Sequence, residues 1–177
     1  AENTYIVSDG GECAPVAPGT ATREERQLVG SAIDTAGLRV RHLLLTHAHI
    51  DHSGLLPKLT NNGFDSPIYA TEPTVDLLQF MLRDSAYIQE SNIERKNKKL
   101  RRRGKPEVKP IYTMADAEKT LKQLKPIPYE KWFEPKPGVR ARFWNAGHLL
   151  GSASIELEVT EDGKPIRMMF SGDLGPE

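Results

Sequence analysis

The amino-acid sequence predicts an α+β domain, a sandwich in which sheets are layered with helices. Helix-like and strand-like segments alternate irregularly up to residue 126, and from Ile127 onward apolar residues recur with a period of two. The late strands are joined by a hairpin turn and not by helices. That order departs from the regular strand–helix repeat of a doubly wound parallel sheet. At 177 residues the chain suffices for one domain with a real core and is too short for two of ordinary size.

Asn3 to Ser8 is β-prone and reads as a starting strand. Asp9-Gly10-Gly11 is a turn, and Cys13 to Ala17 is a return strand weakened by Pro15 and Pro18. Thr22 followed by Glu25 resembles a capping box, opening a helix that runs to about Ala36 and stops at Gly37. Arg41 to Thr46 encloses Leu43-Leu44-Leu45, a short apolar run that suits a buried strand. Ser53 to Asn62 reads as a short helix, with Leu55, Leu56 and Leu59 inward and Gly63 as its stop. Pro67 to Ala70 is a small strand. Thr71 then caps a longer helix with Val75, Leu78, Met81 and Leu82 on its apolar side. Helix continues or restarts through a basic segment and ends by Gly104-Lys105-Pro106. Thr113 caps a further helix to about Lys125, with Leu121 and Leu124 inward. In the period-two region Val139, Ala141 and Phe143 alternate with Arg140 and Arg142, and Ile155, Leu157 and Val159 alternate with Glu156 and Glu158. Glu161-Asp162-Gly163-Lys164 is a hairpin turn, and Ile166 to Phe170 returns as a strand.

Hydrophobic content of 38% and charged content of 27% are ordinary for a globular chain. No stretch approaches about 18 apolar residues, so the expectation is that no segment spans a membrane. Ala1 to Asp9 lacks the basic start and apolar centre of a signal peptide. The single cysteine, Cys13, excludes an intrachain disulfide and fits a reducing compartment. A cytoplasmic location is expected, or a nuclear one in a eukaryote. The formal net charge of zero hides an uneven distribution: residues 91–110 carry nine basic and two acidic side chains. Such a run can attract a polyanion, although many charge runs are simply solvated helix faces.

Four of the five histidines and two aspartates fall into three short blocks: Thr46-His47-Ala48-His49-Ile50-Asp51-His52, Ala146-Gly147-His148 and Phe170-Ser171-Gly172-Asp173. Imidazole and carboxylate are usual zinc ligands, and this many donors suits two metals and metal-assisted hydrolysis. His47 and His49, two apart on an extended segment, can reach one ion from the same side, with His148 completing that site. Asp51 and His52 follow closely enough to serve a second ion, and Asp173 can bridge. An isolated histidine near a strand end is more often hydrogen-bonded surface or core, and His42 is assigned to that class.

Leu45 to Gly54 reads Leu-Thr-His-Ala-His-Ile-Asp-His-Ser-Gly. The His47-x-His49-x-Asp51-His52 pattern resembles the signature of the metallo-β-lactamase fold, an αββα sandwich with its metals at one edge. More narrowly it resembles the β-CASP branch of nucleic-acid-processing nucleases, the cleavage/polyadenylation-factor-like ribonucleases. Gly63 to Ala70, Asp84-Ser85-Ala86 with Gln89-Glu90, Ala146 to Ser154, and Phe170 to Gly175 are also similar to that branch, so the likeness covers residues 22 to 176.

The resemblance implies a zinc-dependent hydrolase of RNA phosphodiester bonds acting on single-stranded RNA. Two Zn2+ would activate a hydroxide that attacks phosphorus in line, leaving a 5′-phosphate and a 3′-hydroxyl. His47, His49 and His148 would hold the first zinc and Asp51 and His52 the second, with Asp173 bridging. Asp51, His52 and Asp173 would be catalytic. Arg95, Lys96, Lys98, Lys99, Arg101, Arg102, Arg103 and Lys105 would hold the RNA backbone. The family adds a later histidine ligand and an inserted β-CASP domain. Residues 1–177 are therefore read as one metallo-β-lactamase-like domain, a fragment without the β-CASP part. Its second zinc site is expected to be weak and its cleavage slow until C-terminal segments or a partner chain complete it. Relatives also carry an aspartate where this chain has Ala17-Pro18-Gly19. Two other readings stand beside this one: a hydrolase of the same fold acting on DNA or a small ester or thioester, and a non-catalytic module in which metal stabilises the fold.

Overall fold

The computed structural model describes residues 5–9, 12–16, 39–161 and 163–176. The expected helix from Thr22 and the Ala17-Pro18-Gly19 position lie outside them. In the first sheet β1 (Tyr5–Asp9) pairs antiparallel with β2 (Glu12–Val16). β2 runs parallel to β3 (Arg39–Val40) and to β4 (Leu43–Leu44). β4 is parallel to β5 (Ile68–Thr71), and β5 to β6 (Leu124–Ile127). The second sheet is antiparallel throughout, in the order β10 (Lys164–Phe170), β9 (Ala153–Glu161), β8 (Val139–Asn145) and β7 (Phe133–Lys136). Among the described residues, four helices connect the parallel strands: α1 (Ile50–Ser53), α2 (Leu56–Asn61), α3 (Glu72–Arg101) and α4 (Met114–Leu121).

The Leu43-Leu44-Leu45 run lacks alternation because both faces of its strand are covered. Leu43 and Leu45 enter one core with Ile68, Ala70, Leu78, Leu82 and Ala117, beneath the helices. Leu44 enters a second core between the sheets, with Phe143, Ile155, Leu157 and Phe170. Each fully buried leucine stabilises the fold by about 1.5–3 kcal/mol relative to exposure. On α3, Leu78, Leu82 and Ala86 repeat every four residues and are fully buried. Beyond Ala86 the one buried residue on this helix is Asn97. A polar clasp joins α2 to α4: Thr120 donates to Thr60 (2.9 Å), Thr60 to Gln123 (2.8 Å), and Gln123 to the Phe64 carbonyl (2.8 Å).

Three expectations change. The helix capped by Thr113 stops at Leu121, and Leu124 is buried as a strand residue opposite Ile68. Pro126 disfavours helix at Lys125, and the parallel ladder with β5 satisfies the backbone instead. The segment from Ser53 to Asn62 is split: α1 begins at Ile50, and Pro57 opens α2. Leu56 is buried there, whereas Leu55 and Leu59 are half-buried. Glu156 points away from the inter-sheet core yet is 7% exposed, because Arg142 and Trp144 both bond its carboxylate at 2.7 Å. The late hairpin is as expected, with Glu161 opposite Lys164. No helix among the described residues is long and apolar enough to cross a membrane.

Candidate metal centre

The three ligand blocks meet where the two sheets are stitched together. Leu45 N–H donates to the Tyr69 carbonyl (2.9 Å), prolonging β4, and Ala153 N–H at the start of β9 donates to the Thr46 carbonyl (2.8 Å). The chain thus leaves β4 fixed to both sheets, and His47 is fully buried at the seam. Thr46 Oγ1 lies 3.0 Å from His47 Nδ1, so the Nε2 edge is the one left to face the site. His49 closes the extended stretch and its carbonyl accepts from the His52 and Ser53 amides, which starts α1. Ser53 Oγ donates to the Ala48 carbonyl (2.9 Å), holding that turn against the preceding strand. Asp51 and His52 are presented by this first turn.

His148 sits in the loop between β8 and β9. Its amide and that of Leu149 both donate to Ser152 Oγ, at 3.0 and 3.1 Å, and Gly147 N–H donates to Asn145 Oδ1 (2.9 Å). Ser152 is itself fully buried. Asp173 follows β10 after Gly172, which has φ 59°, and a Cβ there would come within 2.9 Å of the Thr46 side chain. Only glycine combines that conformation with that approach. The Gly175 amide bonds the Ala146 carbonyl (3.0 Å), drawing the third block onto the second.

Five of the six sequence-identified ligands are brought together by measured side-chain contacts around Asp173. Its Oδ2 lies 3.8 Å from His47 Nε2 and 3.6 Å from both His52 Nε2 and His148 Nε2. His49 Nδ1 is 3.2 Å from His148 Nε2. One ligand atom each from His47, His49, His148 and Asp173 lies within 4.8 Å of all the others, a group able to hold a metal ion. Asp51 joins through His52, whose Nε2 is 3.6 Å from the Asp51 carboxylate. His42 stays outside, its ring stacked 6.4 Å from that of Tyr69.

The donor chemistry fits a bound metal. Bonds near 2 Å in a tetrahedral shell put neighbouring ligand atoms about 3.3 Å apart, close to the spacings seen here. His47 Nε2 and His52 Nε2 are buried without a hydrogen-bond partner, each a cost of about 1–3 kcal/mol that a bound cation would offset. Burial, followed by the neighbouring His52, lowers the His47 pKa to about 4, which leaves a neutral ring with a lone pair at neutral pH.

Sequence reasoning did not single out Thr46 or Ser152 as positioning groups. Serine and threonine are too common for their identity to signal a role, and only the fold places these hydroxyls against the ligand segments. The basic residues Arg95, Lys96, Lys98, Lys99 and Arg101 at the far end of α3, and Arg102, Arg103 and Lys105 just beyond it, are all exposed. The opposite end of that helix adjoins the site: the Thr71 and Thr74 hydroxyls both donate to the Gly151 carbonyl, at 2.5 and 2.8 Å.

The metallo-β-lactamase superfamily model matches residues 1–177. Transcription termination factor FttA of Pyrococcus abyssi is 36% identical over 118 residues, covering 66% of this chain and 16% of that protein. Ribonuclease TTHA0252 of Thermus thermophilus is 35% identical over 133 residues, covering 75% of this chain and 26% of that protein. The chain therefore spans about a quarter or less of these relatives. The native FEZ-1 metallo-β-lactamase from Legionella gormanii superposes with a TM-score of 0.60 at 13% identity, over 98% of this chain and 58% of that one, a likeness of fold. On the signature, the architecture and the family match together, the chain belongs to the metallo-β-lactamase superfamily.

Proposed function

We propose that this chain supplies the zinc-binding core of a β-CASP-type ribonuclease, hydrolysing phosphodiester bonds of single-stranded RNA. The observation that carries the reading is the convergence of His47, His49, His148 and Asp173 from three separate loops onto one cluster. Relatives named as a ribonuclease and as transcription termination factors favour RNA over DNA or a small ester. His47, His49 and His148 would hold one zinc, and Asp51 and His52 a second, with Asp173 shared. Bound there, zinc would lower the pKa of water to about 7 and offset the charge of a phosphate.

The chain's own groups do the remaining work. Thr46 and Ser152 hold the His47 ring and the His148 loop in register before any ligand arrives, which lowers the cost of organising the site. Asp173 is half-exposed and faces three imidazoles, so its carboxylate sits where the buried centre opens to solvent. His52 Nε2 lies 3.6 Å from both the Asp51 and the Asp173 carboxylates, a grouping that suits the three as donors for the second zinc.

The test loads the chain with zinc and supplies a labelled single-stranded RNA and the DNA of the same sequence. Zinc binding by one tighter and one weaker site, with slow release of 5′-phosphorylated RNA products lost in Asp51→Asn, supports the reading. Zinc binding with DNA cut in preference overturns the RNA assignment. Zinc binding with neither cut returns the chain to a metal-stabilised module.

A further inference from the structure

We infer that the distal half of α3 is a rigid anchor for single-stranded RNA, at the end of a helix about 40 Å long whose other end adjoins the metal centre, so that substrates must exceed about 6 nucleotides to engage both. This rests on the ribonuclease reading. α3 is one uninterrupted helix from Glu72 to Arg101. Its first turn touches the His148 loop through Thr71, Thr74 and the Gly151 carbonyl. A rise of 1.5 Å per residue from Thr74 to Arg101 spans about 40 Å. An extended single strand, its phosphates roughly twice as far apart as the 3.4 Å axial rise of one duplex strand, covers that distance in about 6 nucleotides.

The far end is built for a polyanion. After Ala86 the helix contributes no buried apolar side chain, so this half is not there to fill a core. It is stiffened by other means: buried Asn97 donates to the Val108 carbonyl (2.8 Å) and accepts from the Val108 amide (2.9 Å). That clasp folds the chain back so that Val108 lies against the helix at Asn97. The segment from 91 to 110 holds nine basic and two acidic side chains. Arg101 is paired with Glu107 at 2.8 Å, and Arg95, Lys96, Lys98, Lys99, Arg102, Arg103, Lys105 and Lys109 are exposed. Cations so placed around a helix end meet phosphates in any base sequence. RNA is favoured over an acidic protein because the same helix is seated, at its other end, on the proposed phosphodiester-cutting centre.

Fluorescein-labelled oligouridylates from about 4 to about 24 nucleotides test this by anisotropy, first with metal-free protein and then with zinc-loaded protein. Arg101→Ala, Arg102→Ala and Arg103→Ala combined should reduce the salt slope by about 2, at about 0.7 per lost phosphate contact on a single strand. At 0.1 M salt that is a loss of affinity of roughly 100-fold. Lysines at the same three positions should restore the slope. Alanine favours helix, so the variant retains α3. Zinc loading should tighten binding of oligomers longer than about 6 nucleotides and leave the 4-mer unchanged. An unchanged salt slope in the alanine variant overturns the anchor. An equal zinc-dependent gain for the 4-mer overturns the spacing. Equally tight binding of polyglutamate of the same charge overturns the RNA assignment in favour of an acidic protein. Arm-dependent RNA binding with no zinc-dependent gain at any length upholds the anchor and sinks the ribonuclease reading instead.

Discussion

Replacing Ser152 by alanine tests whether the His148 loop is set by one hydroxyl. Ser152 Oγ accepts from the His148 and Leu149 amides at 3.0 and 3.1 Å and is fully buried. At about 0.5–1.5 kcal/mol per hydrogen bond, the substitution removes about 1–3 kcal/mol from the metal-free fold. The deleted oxygen is small, so the cavity adds little to this. Freed of its anchor, the loop must be reordered for His148 to reach the centre, and loss of such support typically weakens metal binding 10–100-fold. Zinc competition against a chromophoric chelator reads that loss, and urea unfolding of the metal-free protein reads the stability. An alanine variant with lowered stability and unchanged zinc affinity would refute the reasoning, because His148 would then be placed by something other than Ser152.

Gly172→Ala should cost about 1–3 kcal/mol, since φ 59° and a Cβ within 2.9 Å of Thr46 are both unfavourable for alanine, and thermal melts should show the loss alongside weaker zinc binding. Glu156 bonds Arg142 and Trp144, which hold its carboxyl pKa below the usual range. The folded state therefore binds that proton less readily than the unfolded chain, so the associated stability is present above about pH 4.5 and declines as pH falls through the lowered value. Urea unfolding at pH 6 and at pH 3.5 should show a smaller acid-induced loss for Glu156→Gln than for the unaltered chain, and an identical loss would contradict the assignment.

The candidate metal-binding cluster was legible in the sequence because few residue types can hold a metal and because their spacing is tied to strand ends. His47, His49, Asp51 and His52 stand out by their clustering, whereas His148 and Asp173 are weak signals singly and gain weight from their setting; the fold brings His47, His49, His148 and Asp173 within reach of one another. The two-sided strand was legible for a similar reason: three consecutive leucines have no solvent face to offer. Less legible was anything decided by contacts between distant segments. Leu124 changes from helix to strand because β5 supplies a ladder partner and Pro126 follows. Glu156 alternates like a solvent-facing residue, yet is covered because Arg142 and Trp144 close over it. Exposure of the basic run followed from its charge density, whereas its distance from the metal centre depended on α3 being a single unbroken helix.

Zinc K-edge X-ray absorption on the chain loaded with one equivalent of zinc tests the central claim most directly. The expected shell has imidazole nitrogens at about 2.0–2.1 Å from three histidines, completed by oxygen, with one imidazole lost in His148→Ala. A shell with at most one imidazole, or one unchanged by His148→Ala, would show that the three blocks do not converge on a metal.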